Sequence, residues 1–146
     1  MPNMKELMPT LARGGGRWSG TYTHTDPDGH VLDHHDVHTF SSFPTDGSSD
    51  YRLETHNVWP GGKESRATHV ADWKNGQLEW RDTLVGWIRQ VDDAIYLKFS
   101  FPGDASIVVH EMIQVAKDGQ SRARTWHWFK DDRLFKITLT KEKRAA

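Results

Sequence analysis

The chain has 146 residues, a net charge of −1 and no cysteine. That length fits one domain, and the near-neutral charge gives no electrostatic case for a nucleic-acid or anionic-membrane partner. The missing thiols exclude disulfides, thiolate metal sites and a cysteine nucleophile.

Residues 3–13 (NMKELMPTLAR) are the only helical candidate, with Leu7, Met8 and Leu11 as a small apolar face. Pro9 keeps it short and Gly14-Gly15-Gly16 ends it, so it reads as a plug or lid across one end of the fold. Residues 1–16 hold no apolar run long enough for a signal peptide or membrane span, and a cytoplasmic location is expected.

From Arg17 onward, short β-type runs alternate with turn signals such as Asp26-Pro-Asp-Gly29, Thr45-Asp-Gly47, Pro60-Gly-Gly62, Asn75-Gly76, Pro102-Gly-Asp104, Asp118-Gly119 and Asp131-Asp132. Strands joined by hairpin turns, with no helices between them, argue for a single all-β domain over residues 1–146. The expected form is an up-and-down antiparallel barrel of about eight to ten strands over 17–144. Hydrophobic residues make up only 36%, offset by seven Trp and six Phe, which bury large areas. The nine histidines are the compositional oddity, since histidine titrates nearest neutrality.

Turn chemistry carries register. A three-residue loop at Asp26–Gly29 pairs His24 with Leu32, Tyr22 with His34 and Trp18 with His38. The same loop at Thr45-Asp46-Gly47 pairs His38 with Glu54 and Asp36 with His56. A two-residue Gly61-Gly62 turn pairs Glu54 with His69, and Asn75-Gly76 pairs Trp73 with Leu78, Ala71 with Trp80 and His69 with Asp82. Directly paired residues share a face. The expected interior therefore collects Trp18, Tyr22, His24, Leu32, His34, Asp36, His38, Phe40, Glu54, His56, His69, Trp73, Leu78, Trp80 and Asp82.

Further along, Leu84, Ile88, Ile95, Leu97, Phe99 and Phe101 form an apolar wall, followed by Ile107, Val109, Glu111, Ile113 and Val115. The turns at Asp118-Gly119 and Asp131-Asp132 set Glu111 against Trp126, Ile113 against Arg124, Trp126 against Ile137 and Arg124 against Leu139. A slip at Pro102-Gly103-Asp104 would exchange Glu111 for His110.

Ionisable groups cannot line a dry core, so this interior implies a water- or ligand-filled cavity. His34 beside Tyr22 and Asp36 is the candidate acid–base cluster, with His38 and His69 as further candidates. Candidate ligand contacts are Arg124, Trp126, Trp73, Trp80, Glu54, His56, Asp82, Glu111 and Phe99. In Arg122-Ala-Arg124-Thr-Trp126-His-Trp128, alternation turns both arginines inward. Arg122 lies near a solvated strand end, whereas Arg124 can grip a carboxylate beside a tryptophan wall. No metal or cofactor is expected: His34 and His38 are about 13 Å apart on one strand. No short-spaced ligand motif announces a cross-strand set such as His56, His69 and Asp36. Phosphate-loop, nucleophile-elbow and H-E-x-x-H motifs are absent.

Gly16-Arg17-Trp18 after a short helical segment, the hairpin meander and the basic end Lys141-Glu-Lys-Arg144 together resemble the calycin superfamily of lipocalins and fatty-acid-binding proteins. Trp18-Ser-Gly-Thr-Tyr22, Arg124-Thr-Trp126-His-Trp128-Phe129 and Leu139–Arg144 resemble, more narrowly, a family of uncharacterised bacterial lipocalin-like proteins. The resemblance implies a barrel with a cavity, and a terminal basic residue, Arg144 or Lys141, packed over Trp18. It implies no substrate.

The leading expectation is a cofactor-free lyase, decarboxylase or isomerase that moves protons on a small aromatic or unsaturated carboxylate. The alternatives are a carrier or sensor of a hydrophobic carboxylate and a haem-binding barrel with one axial histidine. A homodimer is compatible with each.

Overall fold

The structure, a computed structural model, describes residues 2–146. Two short helices, α1 (Met4–Leu7) and α2 (Pro9–Arg13), precede ten strands. These are β1 (Gly16–Thr25), β2 (Val31–Ser42), β3 (Tyr51–Val58), β4 (Glu64–Lys74), β5 (Gln77–Trp80), β6 (Val85–Val91), β7 (Ala94–Phe101), β8 (Asp104–Val115), β9 (Ser121–Lys130) and β10 (Arg133–Arg144). Each strand pairs antiparallel with its neighbours in sequence, and β10 pairs with β1 to close a barrel. Closure leaves no unpaired edge strand.

The two helices plug one end. Pro9 starts α2, where its missing N–H costs nothing. Met4, Met8 and Leu11 are buried in the core, whereas Leu7 is exposed. Trp18 is fully buried behind the helices and donates from Nε1 to Gly14 O at 2.9 Å. The Arg144 guanidinium lies 4.4 Å from the Trp18 ring and donates to the carbonyls of Arg13 and Gly119. Arg144, not Lys141, is therefore the basic residue over the tryptophan.

Several turns set their register as the sequence indicates. Asn75 and Gly76 both have positive φ, the two-residue hairpin geometry, and Ala71 pairs with Trp80 and Trp73 with Leu78. Glu111 pairs with Trp126 and Ile113 with Arg124, so Glu111 faces inward and His110 lies outside.

The β2–β3 hairpin differs from expectation by two residues, with His38 opposite His56 and Asp36 opposite Val58, which keeps the paired faces. Three others differ by one residue, and each such slip turns side chains to the other face. Between β1 and β2 the Asp26–His30 turn forms, but a bulge follows: Thr25 pairs with Val31 and His24 with Asp33. The extra residue flips the rest of β2, so Tyr22 pairs with His35 and Trp18 with Thr39. His35, Val37, Thr39 and Ser41 are buried, while His34, Asp36 and His38 are exposed on the outer face. The gain is burial of Val37 in place of a run of ionisable groups. At β3–β4 the turn takes three residues, since Trp59 N bonds Lys63 O, and Glu54 pairs with Thr68 while Leu53 pairs with His69. Glu54 and His56 therefore lie outside with His38, and His69 stays inside because the two slips cancel. At β9–β10 a bulge at Phe135 sets Trp126 opposite Thr138 and Arg124 opposite Thr140, which brings Thr138, Thr140 and Glu142 inward in place of Ile137 and Leu139.

Candidate functional site

The barrel encloses a cavity of about 310 Å³ that opens opposite the helical plug. Leu84, Ile88, Leu97, Phe99, Phe101 and Ile113 line one side, and Trp80, Trp126, Trp128, Tyr22 and Tyr51 supply flat aromatic walls. Its polar groups form two layers, one deep and one at the mouth.

The deep layer is an ionic network built on β8, β9 and β10. Glu142 accepts from Arg122 Nε at 3.0 Å, Arg122 Nη2 at 2.7 Å and Arg124 Nε at 2.7 Å. Arg124 Nη2 donates to the Tyr22 hydroxyl at 2.8 Å, and Arg122 Nη2 also donates to Thr39 Oγ1. Room for this comes from Gly20, opposite Glu142, where a Cβ would run into the Lys141 backbone and the Glu142 side chain. Burial by itself would raise the Glu142 pKa, but the two guanidinium groups hold it down at about 2.

Glu111 sits across from this network and is treated differently. Its Oε2 lies 3.6 Å from Arg124 Nη1, beyond hydrogen-bond length, and is buried with no partner among the described residues. Burial pushes its pKa up to about 7 against the pull of Arg124. The Trp126 indole N–H also pulls the value down without reaching hydrogen-bond geometry. Two cationic arginines and one firmly ionised carboxylate leave this layer with a positive charge whenever Glu111 is protonated.

The mouth layer comes from β1, β2, β3 and β10. His35 Nδ1 lies 2.8 Å from Asp33 Oδ2, and His35 Nε2 lies 2.9 Å from Asn57 Oδ1. Trp59 donates to Asp33 at 3.1 Å and stacks on the His35 ring at 4.1 Å. His24 Nδ1 meets Thr138 Oγ1 at 2.7 Å, and burial with the nearby Lys136 lowers its pKa to about 4. The Lys136 ammonium lies 4.0 Å from the Trp128 ring.

Among the residues singled out from sequence, Tyr22, His69, Arg124, Trp126, Trp80, Glu111 and Phe99 line this one cavity. His69 bonds Thr83 Oγ1, and Trp73 packs against the core without lining the cavity. His34, Asp36 and His38 bond or face outward: His34 meets Thr23 and His38 meets Ser19. Glu54 pairs with Arg52 and His56 with Glu64 on the outside, and Asp82 is exposed in a turn with positive φ. His56, His69 and Asp36 therefore cannot meet on one ion. Arg122, expected near solvent, is buried. The sequence reading missed Asp33, His35, Asn57, Trp59, Lys136 and Glu142 as site residues. Val37 and Thr39 on the same face as His35, and Thr138 and Thr140 on the same face as Glu142, were the available signals.

No protein-family description and no curated protein matches the chain. Solved structures do. An S-type phycobiliprotein lyase, CPES from Guillardia theta, aligns over 99% of both chains with a TM-score of 0.76 at 14% identity. Rv2717c from M. tuberculosis aligns over 96% of this chain and 98% of its own, with a TM-score of 0.60 at 12% identity. A protein of unknown function from the DUF3598 family of Nostoc punctiforme aligns over 92% of this chain with a TM-score of 0.68 at 16% identity, and this chain spans 49% of its length. What these proteins share with the chain is the antiparallel barrel, consistent with a lipocalin-like fold.

Proposed function

We propose that the barrel binds a small, flat, largely apolar molecule with one acidic or carbonyl oxygen, and that Glu111 exchanges a proton with it. The observation that carries this reading is the unpartnered Glu111 Oε2, buried in the deep layer of a cavity with largely apolar and aromatic walls. A buried polar atom without a partner costs free energy that a ligand hydrogen bond recovers. The cavity volume sits at the small end of the usual range for ligand sites, roughly 300–1,000 Å³.

The electrostatics favour a carboxylate. Arg124 has Nε and Nη2 committed to Glu142 and Tyr22, which leaves Nη1, facing Glu111, to meet a ligand oxygen. A ligand anion arriving there favours protonation of Glu111, which then stands ready as a general acid. A carboxyl whose pKa lies near the working pH suits that role in a cofactor-free lyase, decarboxylase or isomerase. Tyr22 acts through Arg124 and positions it. The phycobiliprotein lyase with a similar barrel supports the barrel as a host for a small ligand, by fold-level analogy.

The test uses a panel of aromatic α,β-unsaturated acids and their amides. Binding is read from tryptophan fluorescence, and proton transfer from deuterium incorporation into the ligand in D2O by NMR. The wild type should bind the acids more tightly than the amides and exchange the proton; Glu111→Gln should bind and not exchange. Binding without exchange in the wild type would retire the enzyme and leave a carrier of a hydrophobic carboxylate.

A further inference from the structure

We propose that His24, Asp33 and His35 form a binding site for a first-row divalent transition-metal ion at the mouth of the cavity. One ligand atom from each residue lies within 4.8 Å of the other two. His35 Nδ1 is 2.8 Å and His24 Nε2 is 3.8 Å from Asp33 Oδ2. Bonds of about 2.0–2.2 Å to one ion set neighbouring tetrahedral ligands roughly 3.4 Å apart, between those two values.

The outer contacts make the case stronger than proximity does. A metal-bound histidine uses its second nitrogen to donate to a fixed acceptor, and a bound carboxylate is itself hydrogen-bonded. Both histidines have such a partner on the far side from the convergence point, and the carboxylate is held by an indole N–H. His24 Nδ1 meets Thr138 Oγ1, His35 Nε2 meets Asn57 Oδ1, and Trp59 Nε1 donates to both Asp33 oxygens at 3.1 Å each. Those contacts leave His24 Nε2 and His35 Nδ1 turned toward Asp33 Oδ2, the carboxylate oxygen that both approach.

The backbone device that builds the cluster is the bulge after Thr25. Without it β2 would run in the other register and present Leu32 and His34 to His24 and Tyr22. With it, Asp33 pairs directly with His24, and His35 follows on the same inner face. Bulges commonly re-aim side chains beside functional sites. Two imidazoles and one carboxylate suit Zn²⁺ or a neighbouring first-row ion, and three protein ligands leave a coordination position open. Both histidines line the cavity, so that position faces the bound ligand. Lys136 is the cation that opposes the site, since its charge acts on both His24 and Asp33.

The experiment titrates tag-free, full-length protein with Zn²⁺ against a chromophoric chelator and with Co²⁺ by visible absorption. Expected are one ion per chain and at least a tenfold loss of affinity in His24→Gln and in Asp33→Asn. His30→Gln, which breaks the separate exposed cluster Asp26, Asp28 and His30, should bind as the wild type does. In wild-type protein, two-bond ¹H–¹⁵N spectra should show Zn²⁺ shifting His24 Nε2 and His35 Nδ1, which decides the matter even where a variant fails to fold. Absence of one-to-one binding, a loss that follows His30→Gln instead, or shifts confined to other histidines would overturn the site.

Discussion

Replacing Glu111 by Gln should make the protein more stable at pH 8 and leave it unchanged near pH 4.5. The glutamine is close in shape to the protonated acid and removes only the option to ionise. In the folded state the Glu111 pKa is raised from 4.5 to about 7, so the group contributes stability below pH 4.5 that is lost as pH rises through about 7. A displacement of about 2.5 pH units, at 1.36 kcal/mol each, amounts to ~3 kcal/mol. With an unfolding entropy of roughly 2.1 cal/mol/K per residue over this chain, that is a difference in Tm of about 10 °C.

The wild-type melting curve alone would hide the effect. His24, lowered from 6.5 to about 4, contributes stability that is present above pH 6.5 and lost as pH falls toward 4. Its slope opposes that of Glu111 across their common window, and the variant-minus-wild-type difference cancels it. The assay is therefore thermal melting of both proteins at half-unit steps from pH 4.5 to 8.5. A difference that opens between pH 5 and 8 supports a carboxyl poised for proton exchange. A constant difference would mean that Glu111 titrates like an ordinary surface acid, and its catalytic role would fall with it.

Glu142→Gln should cost about 3–5 kcal/mol, because it strands two buried guanidinium charges; a chemical melt at pH 7 measures it, and a loss below about 1 kcal/mol would contradict the network. Arg144→Met should lose about 1.5–3 kcal/mol through its carbonyl hydrogen bonds and expose Trp18 to collisional quenching; unchanged quenching would deny that Arg144 shields Trp18. His35→Gln should impair ligand response and lower Tm, since it breaks bonds to Asp33 and Asn57, while His34→Gln on the outer face should do neither. Equal effects from the two histidines would contradict the bulged register. Gly20→Ala should fail to yield a cooperative fold in a circular dichroism melt, because the added carbon meets Lys141 backbone; a normal melt would show the β1–β10 approach to be looser.

Much of the fold is written in local pattern. Alternation, the positive-φ turn residues at Asn75-Gly76 and the Pro9 break are short-range signals, and they suffice for a meander barrel with a helical plug. The same alternation puts Glu111, Arg124 and Trp126 inside, because β8 and β9 pair from their turn without interruption, and a register shift after Ser100 at the β7–β8 turn leaves Phe99 opposite Val109 on the same face. What tertiary structure decided is which face of β2, β3 and β10 looks inward. That choice rests on a single extra residue after Thr25, on a three-residue turn after Trp59 and on a bulge at Phe135. A local reading of turn type cannot weigh these against burying Val37, stacking His35 on Trp59 or seating Glu142 between two arginines. Those gains exist only once distant strands have met, and because a strand has period two, one residue exchanges a whole set of candidate groups for its neighbours.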